Sequence, residues 1–169
     1  LSRLCGYFGK KYLREVPEEE FYFGISGARK FAGDRAVLRA MHIYDENRRV
    51  DAETAALEAG RFDEFLRLVN GSGTSSWTLL QNITPAGSTR HQELAVALAL
   101  CGRLLNGRGA CRVHGGGFAG TIQAFVPNDM LEDFKTGIES CLGAGCCHIL
   151  TIHREGGTRE RFTEESSDK

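Results

Sequence analysis

The interpretation of the fold depends on residues 112–127, RVHGGGFAGTIQAFVP. Three consecutive glycines lie between two apolar runs that are short enough to be strands. We therefore predict a strand over Ala110–His114, a tight turn at Gly115–Gly117, and a second strand over Phe118–Val126 that ends at Pro127. Two strands joined by so short a turn are antiparallel neighbours.

The segments before and after this hairpin have helical patterns. Residues 94–101 are apolar throughout and rich in Ala and Leu, which favours a buried helix that ends near Asn106 and Gly107. Asn128 is suited to cap a further helix. The apolar stripe of that helix consists of Leu131, Phe134, Ile138 and Leu142.

Residues 146–153, CCHILTIH, have the pattern of a last strand. The order over about residues 89–157 is then α-β-β-α-β. This order predicts most of a ferredoxin-like α+β sandwich with its helices on one face of the sheet.

The first part of the chain, about residues 1–88, is predicted to be helical. The acidic run Glu18–Glu20 after Pro17 suits the first turn of a helix. Val37, Met41 and Tyr44 recur at helical spacing after Asp34, which predicts an amphipathic helix from that N-cap to about Arg49. Two more helices are expected, over Asp51–Ala59, which stops at Gly60, and over Phe62–Val69.

Two segments have compositions that predict irregular structure. Residues 70–89 are rich in Asn, Gly, Ser and Thr, and we expect an ordered crossover loop there. Its apolar residues must dock on the protein, and they are Trp77, Leu79, Leu80 and Ile83. The chain is polar from Glu155, so we expect residues 158–169 to be a disordered tail.

Composition and charge exclude several classes of protein. The chain has 169 residues, 41% of them hydrophobic, and 21 Lys and Arg against 22 Asp and Glu. The hydrophobic fraction argues against disorder. The balance of charges argues against a nucleic-acid groove or binding to an anionic membrane. Neither a membrane span nor a signal peptide is recognisable, so we expect a cytoplasmic protein. Because the chain starts at Leu1 rather than Met, we also expect it to be a fragment of a longer protein.

The six cysteines lie on apolar segments without regular spacing, which favours reduced core cysteines over a disulfide framework. Cys146, Cys147, His148 and His153 form the densest group of potential metal ligands. On a strand, Cys146 and His148 would face one side and the other two residues the opposite side. Such a set does not converge on one ion, so no metal site is expected.

The glycine-rich turn is the segment most suited to chemistry. Four glycines without Cβ atoms, at 115, 116, 117 and 120, allow a ligand to approach and allow successive amides to bind an anion. The alternative is an ordinary hairpin in which these glycines only adopt positive φ and Gly120 marks a bulge. The pattern is neither a Walker loop nor a Rossmann turn.

Other polar residues have both functional and structural interpretations. His114 could donate to a phosphate or only hydrogen-bond locally, and Arg112 could reach a cleft or pair with a surface carboxylate. His42 lies beside the apolar stripe of its helix, which favours a structural role. His91 is expected to be exposed, and the pair Arg48–Arg49 to lie on a solvated helix face.

The motif RVHGGGFAG, followed by TIQAFVPND and a helix, resembles the third motif of the GHMP small-molecule kinases, and most closely that of galactokinases. Residues 7–21 and 33–77 are also similar to galactokinases, so the resemblance covers roughly residues 5–157. The common family form has Thr where His114 stands and Gly where Ala119 stands. The second change adds a methyl group to a crowded bend.

The resemblance implies the C-terminal lobe of a sugar kinase that uses ATP and Mg²⁺ to phosphorylate galactose or a related sugar at C1. The family's sugar-binding and catalytic residues and its phosphate loop come from the preceding half, and no stretch here matches them. We therefore expect no catalytic residue and no bound cofactor in this chain. The resemblance assigns one wall of the phosphate cleft to Gly115, Gly116, Gly117, Phe118 and Gly120, with His114 as a further candidate.

The implied partner is the N-terminal lobe of the same enzyme. A half enzyme should expose an apolar surface where that lobe docks, and this surface could drive formation of a homodimer. The alternative is a protein without catalysis, either a galactokinase-like sensor or a ferredoxin-like module that acts through protein contacts.

Overall fold

A computed structural model describes residues 1–118 and 120–152. The fold is α+β, with mostly helical structure and one two-stranded antiparallel sheet in these residues. The α-helices are α1 (Ser2–Tyr7), α2 (Glu18–Ala32), α3 (Asp34–Glu58), α4 (Phe62–Ser75), α5 (Glu93–Leu105) and α6 (Leu131–Leu142). The strands are β1 (Ala110–Val113) and β2 (Ile122–Phe125), and the short helices are two 3₁₀-helices (Leu13–Glu15, Asn128–Met130) and a π-helix (Ser76–Leu80). None of the described helices is long and apolar enough to cross a bilayer.

Helices α1, α2 and α3 enclose the first core. Leu4, Phe21, Val37 and Ala40 are all at most 3% exposed there. The hydroxyl of Tyr44 donates to the carbonyl of Val16 at 2.8 Å, and burial raises the pKa of this phenol to about 12. The predicted helix start at Glu18–Glu20 is confirmed, because these residues form the first turn of α2.

The predicted break between two helices near Val50 is wrong, because α3 continues from Asp34 to Glu58. Val50 is the residue between the two predicted helices, and neither it nor Arg49 or Asp51 is a Gly or Pro that would end a helix. Asp34 does not act as the N-cap. It is the first helical residue, and its carboxylate accepts from Arg29 Nε at 2.6 Å instead.

The predicted crossover loop is helical in its first half. Helix α4 continues to Ser75, and the π-helix follows to Leu80. Gly73 lets this helix lie close to β1, since a Cβ at this position would be only 3.0 Å from the carbonyl oxygen of Cys111. The apolar residues dock unequally: Ile83 is 2% exposed, whereas Trp77 is 44% exposed.

The predicted hairpin is confirmed, with pairs running from Ala110 opposite Phe125 to Val113 opposite Ile122. The second strand is shorter than expected because the chain before it turns through positive φ at Phe118 and Gly120. Helices α5 and α6 form a core with the hairpin through Cys101, Leu105, Phe134 and Ile138. Helix α4 also contacts β1, at Gly73, and Phe65 packs edge to face on Phe125 at 5.4 Å.

The predicted last strand is not present in the described residues 146–152, which have no regular secondary structure. Cys147 packs against the α5–α6 core, but Leu150 and Ile152 are 86% and 85% exposed. A two-stranded sheet does not complete the expected sandwich. His153 and the tail predicted at 158–169 lie outside the described residues.

The cysteines divide by position, and all six are free thiols. Cys5 and Cys101 are buried in cores, as expected, and burial raises the pKa of Cys101 to about 12. Cys141 and Cys146 are exposed, so the prediction of core cysteines is wrong for these two.

Candidate functional site

The glycine-rich turn lies at the far end of the hairpin from the β1–α5 connection. Gly115, Gly117 and Gly120 have φ of 62°, 74° and 83°, and Phe118 has φ of 56°. Positive φ is unfavourable for a bulky side chain such as that of Phe118, so the neighbouring structure must stabilise this conformation. The crowding expected at Ala119 falls on a residue outside the described ranges.

The outer side of the turn is open. Gly115 and Gly116 are exposed, and a Cβ on either glycine, or on Gly120, would meet no described atom within 4 Å. Within the described residues, no acceptor is found for the amides of Gly115 and Gly116. Two N–H groups without an acceptor, on an exposed bend without Cβ atoms, can bind an anion.

The inner side of the turn packs on Asn82. A Cβ on Gly117 would lie 2.3 Å from the carbonyl oxygen of Asn82 and 2.7 Å from its Cγ, so only glycine fits. The N–H of Phe118 donates to the same carbonyl at 3.1 Å. Part of the turn is therefore anchored to the protein, while Gly115 and Gly116 project from it.

Asn82 was not singled out from the sequence as a residue of the site, although its position among docking apolar residues indicated that it is buried. It is a polar residue within the apolar group that was expected to dock, between Leu80 and Ile83. It follows Gln81, which ends the π-helix in a left-handed conformation with φ of 55°. Asn82 is 2% exposed, and neither its Oδ1 nor its Nδ2 has a hydrogen-bond partner in the part of the chain that is described.

His114 and Arg112 have local partners. The exposed His114 donates its backbone N–H to Thr121 at 3.1 Å, which extends the hairpin by one bond. Arg112 donates from Nε to the Val113 carbonyl at 3.2 Å, and its Nη1 lies 3.9 Å from Glu46 Oε2. Of the two interpretations of Arg112, pairing with a carboxylate describes the structure, and that carboxylate is half-buried.

A polar cluster joins α3, α4 and β1 behind the hairpin. Glu46 pairs with Arg49 and accepts from Ser72 Oγ at 2.5 Å. His42 Nδ1 is 2.9 Å from Ser75 Oγ, and burial together with the charges of Arg49 and Arg112 lowers the pKa of His42. A structural role for His42 is thereby supported.

Two of the surface expectations can be compared with this cluster. Arg48 is exposed and pairs with Glu18 and Asp45, but Arg49 is half-buried, so the prediction of a solvated pair is wrong for Arg49. His91 is exposed, as expected.

The candidate metal ligands do not form a site in the described residues, where no three His, Cys, Asp or Glu side chains come together suitably. A groove of about 690 Å³ lies elsewhere, at the opposite end of the hairpin from the glycine turn. Phe62, Leu66, Gly109 and Phe125 are among its lining residues, so it is separate from the predicted cleft wall.

Comparison with known proteins supports the resemblance. No family model matches the chain. The galactokinase of Actinobacillus pleuropneumoniae is 30% identical over 129 residues, which is 76% of this chain and 32% of that enzyme. The galactokinases of Glaesserella parasuis and Mannheimia succiniciproducens are each 29% identical over 129 residues and 76% of this chain.

The chain spans about a third of the length of the curated relatives it matches. Three quarters of its own residues take part in each match, so the similarity extends well beyond the glycine-rich turn. This chain is therefore a relative of the galactokinases over about a third of their length.

Proposed function

We propose that this chain is the C-terminal part of a galactokinase-like sugar kinase and that its glycine-rich turn forms one wall of the nucleotide cleft. The observation that carries the proposal is the open outer side of the turn. Gly115 and Gly116 are exposed, their amides have no acceptor in the described residues, and no described atom would contact a Cβ on either residue. The similarity to galactokinases supplies the class of reaction.

In such an enzyme, ATP with Mg²⁺ supplies the phosphoryl group, and the C1 hydroxyl of galactose or a related sugar accepts it. Catalysis of this kind depends on positioning and on stabilisation of negative charge. The amides of Gly115 and Gly116 would donate to phosphate oxygens, and the hydrogen bond from the Phe118 N–H to the Asn82 carbonyl would hold the turn on the protein. Gly120 would allow the close approach of the other wall, and His114 could add a donor beside the turn.

The whole cleft needs residues that are not in this chain, and its fold needs a further strand. The order α5–β1–β2–α6 would supply four elements of a ferredoxin-like sandwich. We expect the rest of the enzyme to supply the catalytic groups and to cover exposed aromatic residues such as Phe23, which is 96% exposed on α2. Without that cover, the same surface would favour a homodimer.

A direct test is to assay the purified chain for ATP-dependent phosphorylation of galactose by the release of ADP. We expect no activity above that of a preparation from cells that lack the chain, because no catalytic residue is assigned to it. Robust activity that survives this control would contradict the proposed division of the enzyme.

The coding sequence upstream of Leu1 provides the second test. An intact phosphate loop and a catalytic Asp would support a kinase, and their absence would favour the alternative of a non-catalytic sensor or interaction module. In a longer protein with kinase activity, Gly116→Ala should raise the KM for ATP, since the methyl group would project from the open wall. Gly102→Ala, in α5 with equally open surroundings, is the matched control and should not.

A further inference from the structure

Asn82 packs against the glycine-rich turn and has both polar atoms of its side chain buried. Its amide carries two donor hydrogens and one acceptor oxygen. Both polar atoms are buried and neither has a partner within residues 1–118 and 120–152. Native structures seldom leave such a group unpaired, and those that occur call for an explanation.

Asn70 shows that both polar atoms of the same type of side chain can find partners at the same hairpin. Its Nδ2 donates to the Gly109 carbonyl at 3.2 Å, and its Oδ1 accepts from the Cys111 N–H at 3.1 Å. Among the described residues, Asn82 has only its backbone carbonyl engaged, by the N–H of Phe118. Of these two asparagines, the one at the glycine-turn end is therefore the one whose side chain has no partner in the described residues.

The position of Asn82 relates its amide to the open glycines. Gly117 covers the side chain, with the place of its absent Cβ only 2.7 Å from Asn82 Cγ. Gly115 and Gly116 precede Gly117 on the same turn, and both residues are exposed. A shift of Gly117 would therefore uncover Asn82, whose Nδ2 is a third N–H donor at the same turn.

We propose that Asn82 is a ligand-binding residue of the glycine-rich turn, and that its Nδ2 donates to a phosphate oxygen when Gly117 moves aside. Three N–H donors suit an anion with several oxygens. That this anion is a phosphate rests on the proposed function. The phosphate is either free or part of a nucleotide, and separate titrations distinguish these sources.

The test is an NMR titration of the ¹⁵N-labelled 169-residue chain with inorganic phosphate and, separately, with ATP, at constant ionic strength adjusted with NaCl. We expect saturable shifts of the Gly115 and Gly116 amides and of the Asn82 side-chain NH₂ signals. Shifts at lower concentration with ATP would identify a nucleotide phosphate. Shifts at similar concentrations would identify a site for phosphate in general.

Two variants separate binding from stability. Asn82→Ala should weaken phosphate binding by about fivefold or more and change the Tm by less than about 2 °C, because it removes no bond made in the free chain. Asn70→Ala is the matched control, which should lower the Tm by more than Asn82→Ala and leave phosphate binding unchanged.

The outcomes distinguish this inference from the proposed function. If the glycine amides shift but the Asn82 NH₂ signals do not, the turn remains a cleft wall and the role of Asn82 is wrong. If neither responds, both fail. If Asn82→Ala lowers the Tm as much as Asn70→Ala, the amide is a paired structural group and the inference also fails. The wild-type titration decides the question even if a variant does not fold.

Discussion

The two ends of the β1–β2 hairpin are both attached to the chain segment that contains α4, but the attachments differ in kind. At the end away from the glycine turn, Asn70 makes two side-chain hydrogen bonds to the backbone around β1. At the turn end, Asn82 contributes one backbone carbonyl and leaves its side-chain amide without a partner in the described chain. The comparison shows one side chain with both polar atoms paired and one that retains binding capacity, and departures of this second kind concentrate at functional sites.

The largest expected effect tests whether both ends are equally close-packed. Gly109→Ala would place a Cβ 2.2 Å from the carbonyl oxygen of Phe125, and Gly117→Ala one 2.3 Å from that of Asn82, each at positive φ. Each change should lower the free energy of unfolding in urea by about 2–4 kcal/mol, from overpacking and backbone strain together. A much smaller loss for Gly117→Ala would show that the turn yields readily, and the two ends would then differ in packing as well.

The next effect tests the hydrogen bonds themselves. Asn70→Ala removes both bonds and leaves the Cys111 N–H without its acceptor, which should cost about 1–3 kcal/mol of unfolding free energy. Asn82→Ala should cost less than about 1 kcal/mol. Equal losses in parallel urea titrations would remove the distinction between the two ends.

A pH-dependent contact lies between the two asparagines in sequence, where Ser75 of α4 bonds to His42. Burial, Arg49 and Arg112 lower the pKa of His42 below its ordinary value of 6.5. The imidazole of His42 therefore binds a proton more readily in the unfolded chain than in the folded one. His42 contributes a stability that is present above pH 6.5 and is lost as the pH falls through the folded pKa.

Unfolding midpoints measured from pH 8 to pH 5 should show this loss, and His42→Gln should reduce the slope below pH 6.5. An unchanged slope in that variant would mean that other groups cause the pH dependence.

The smallest effect concerns the open side of the turn. Gly116→Ala should change the unfolding free energy by less than about 0.5 kcal/mol, because the position is exposed and its added methyl group meets no described atom. A loss comparable to that of Gly117→Ala would show that the outer side is also packed, and it would count against a ligand site there.

Local patterns predicted most elements because they depend on neighbours in sequence. The acidic start of α2, the α5 helix and the glycine hairpin all follow from such signals. The segment at 146–152 was misassigned because a strand requires a neighbouring strand for its backbone hydrogen bonds, and an apolar pattern does not supply one. The prediction of a ferredoxin-like sandwich depended on that strand, and the two-stranded sheet of the described residues does not complete it.

The sequence by itself determined the helical first part, the hairpin and the relationship to galactokinases, since periodicity and motifs are properties of the order of residues. Tertiary structure alone decided which polar groups found partners. Asn70 and Asn82 are the same residue type, 12 positions apart, yet one amide meets backbone groups and the other meets the face of Gly117. The physical reason is that a hydrogen bond depends on the distance and direction of a partner in space, which the packing of α4 against β1 sets.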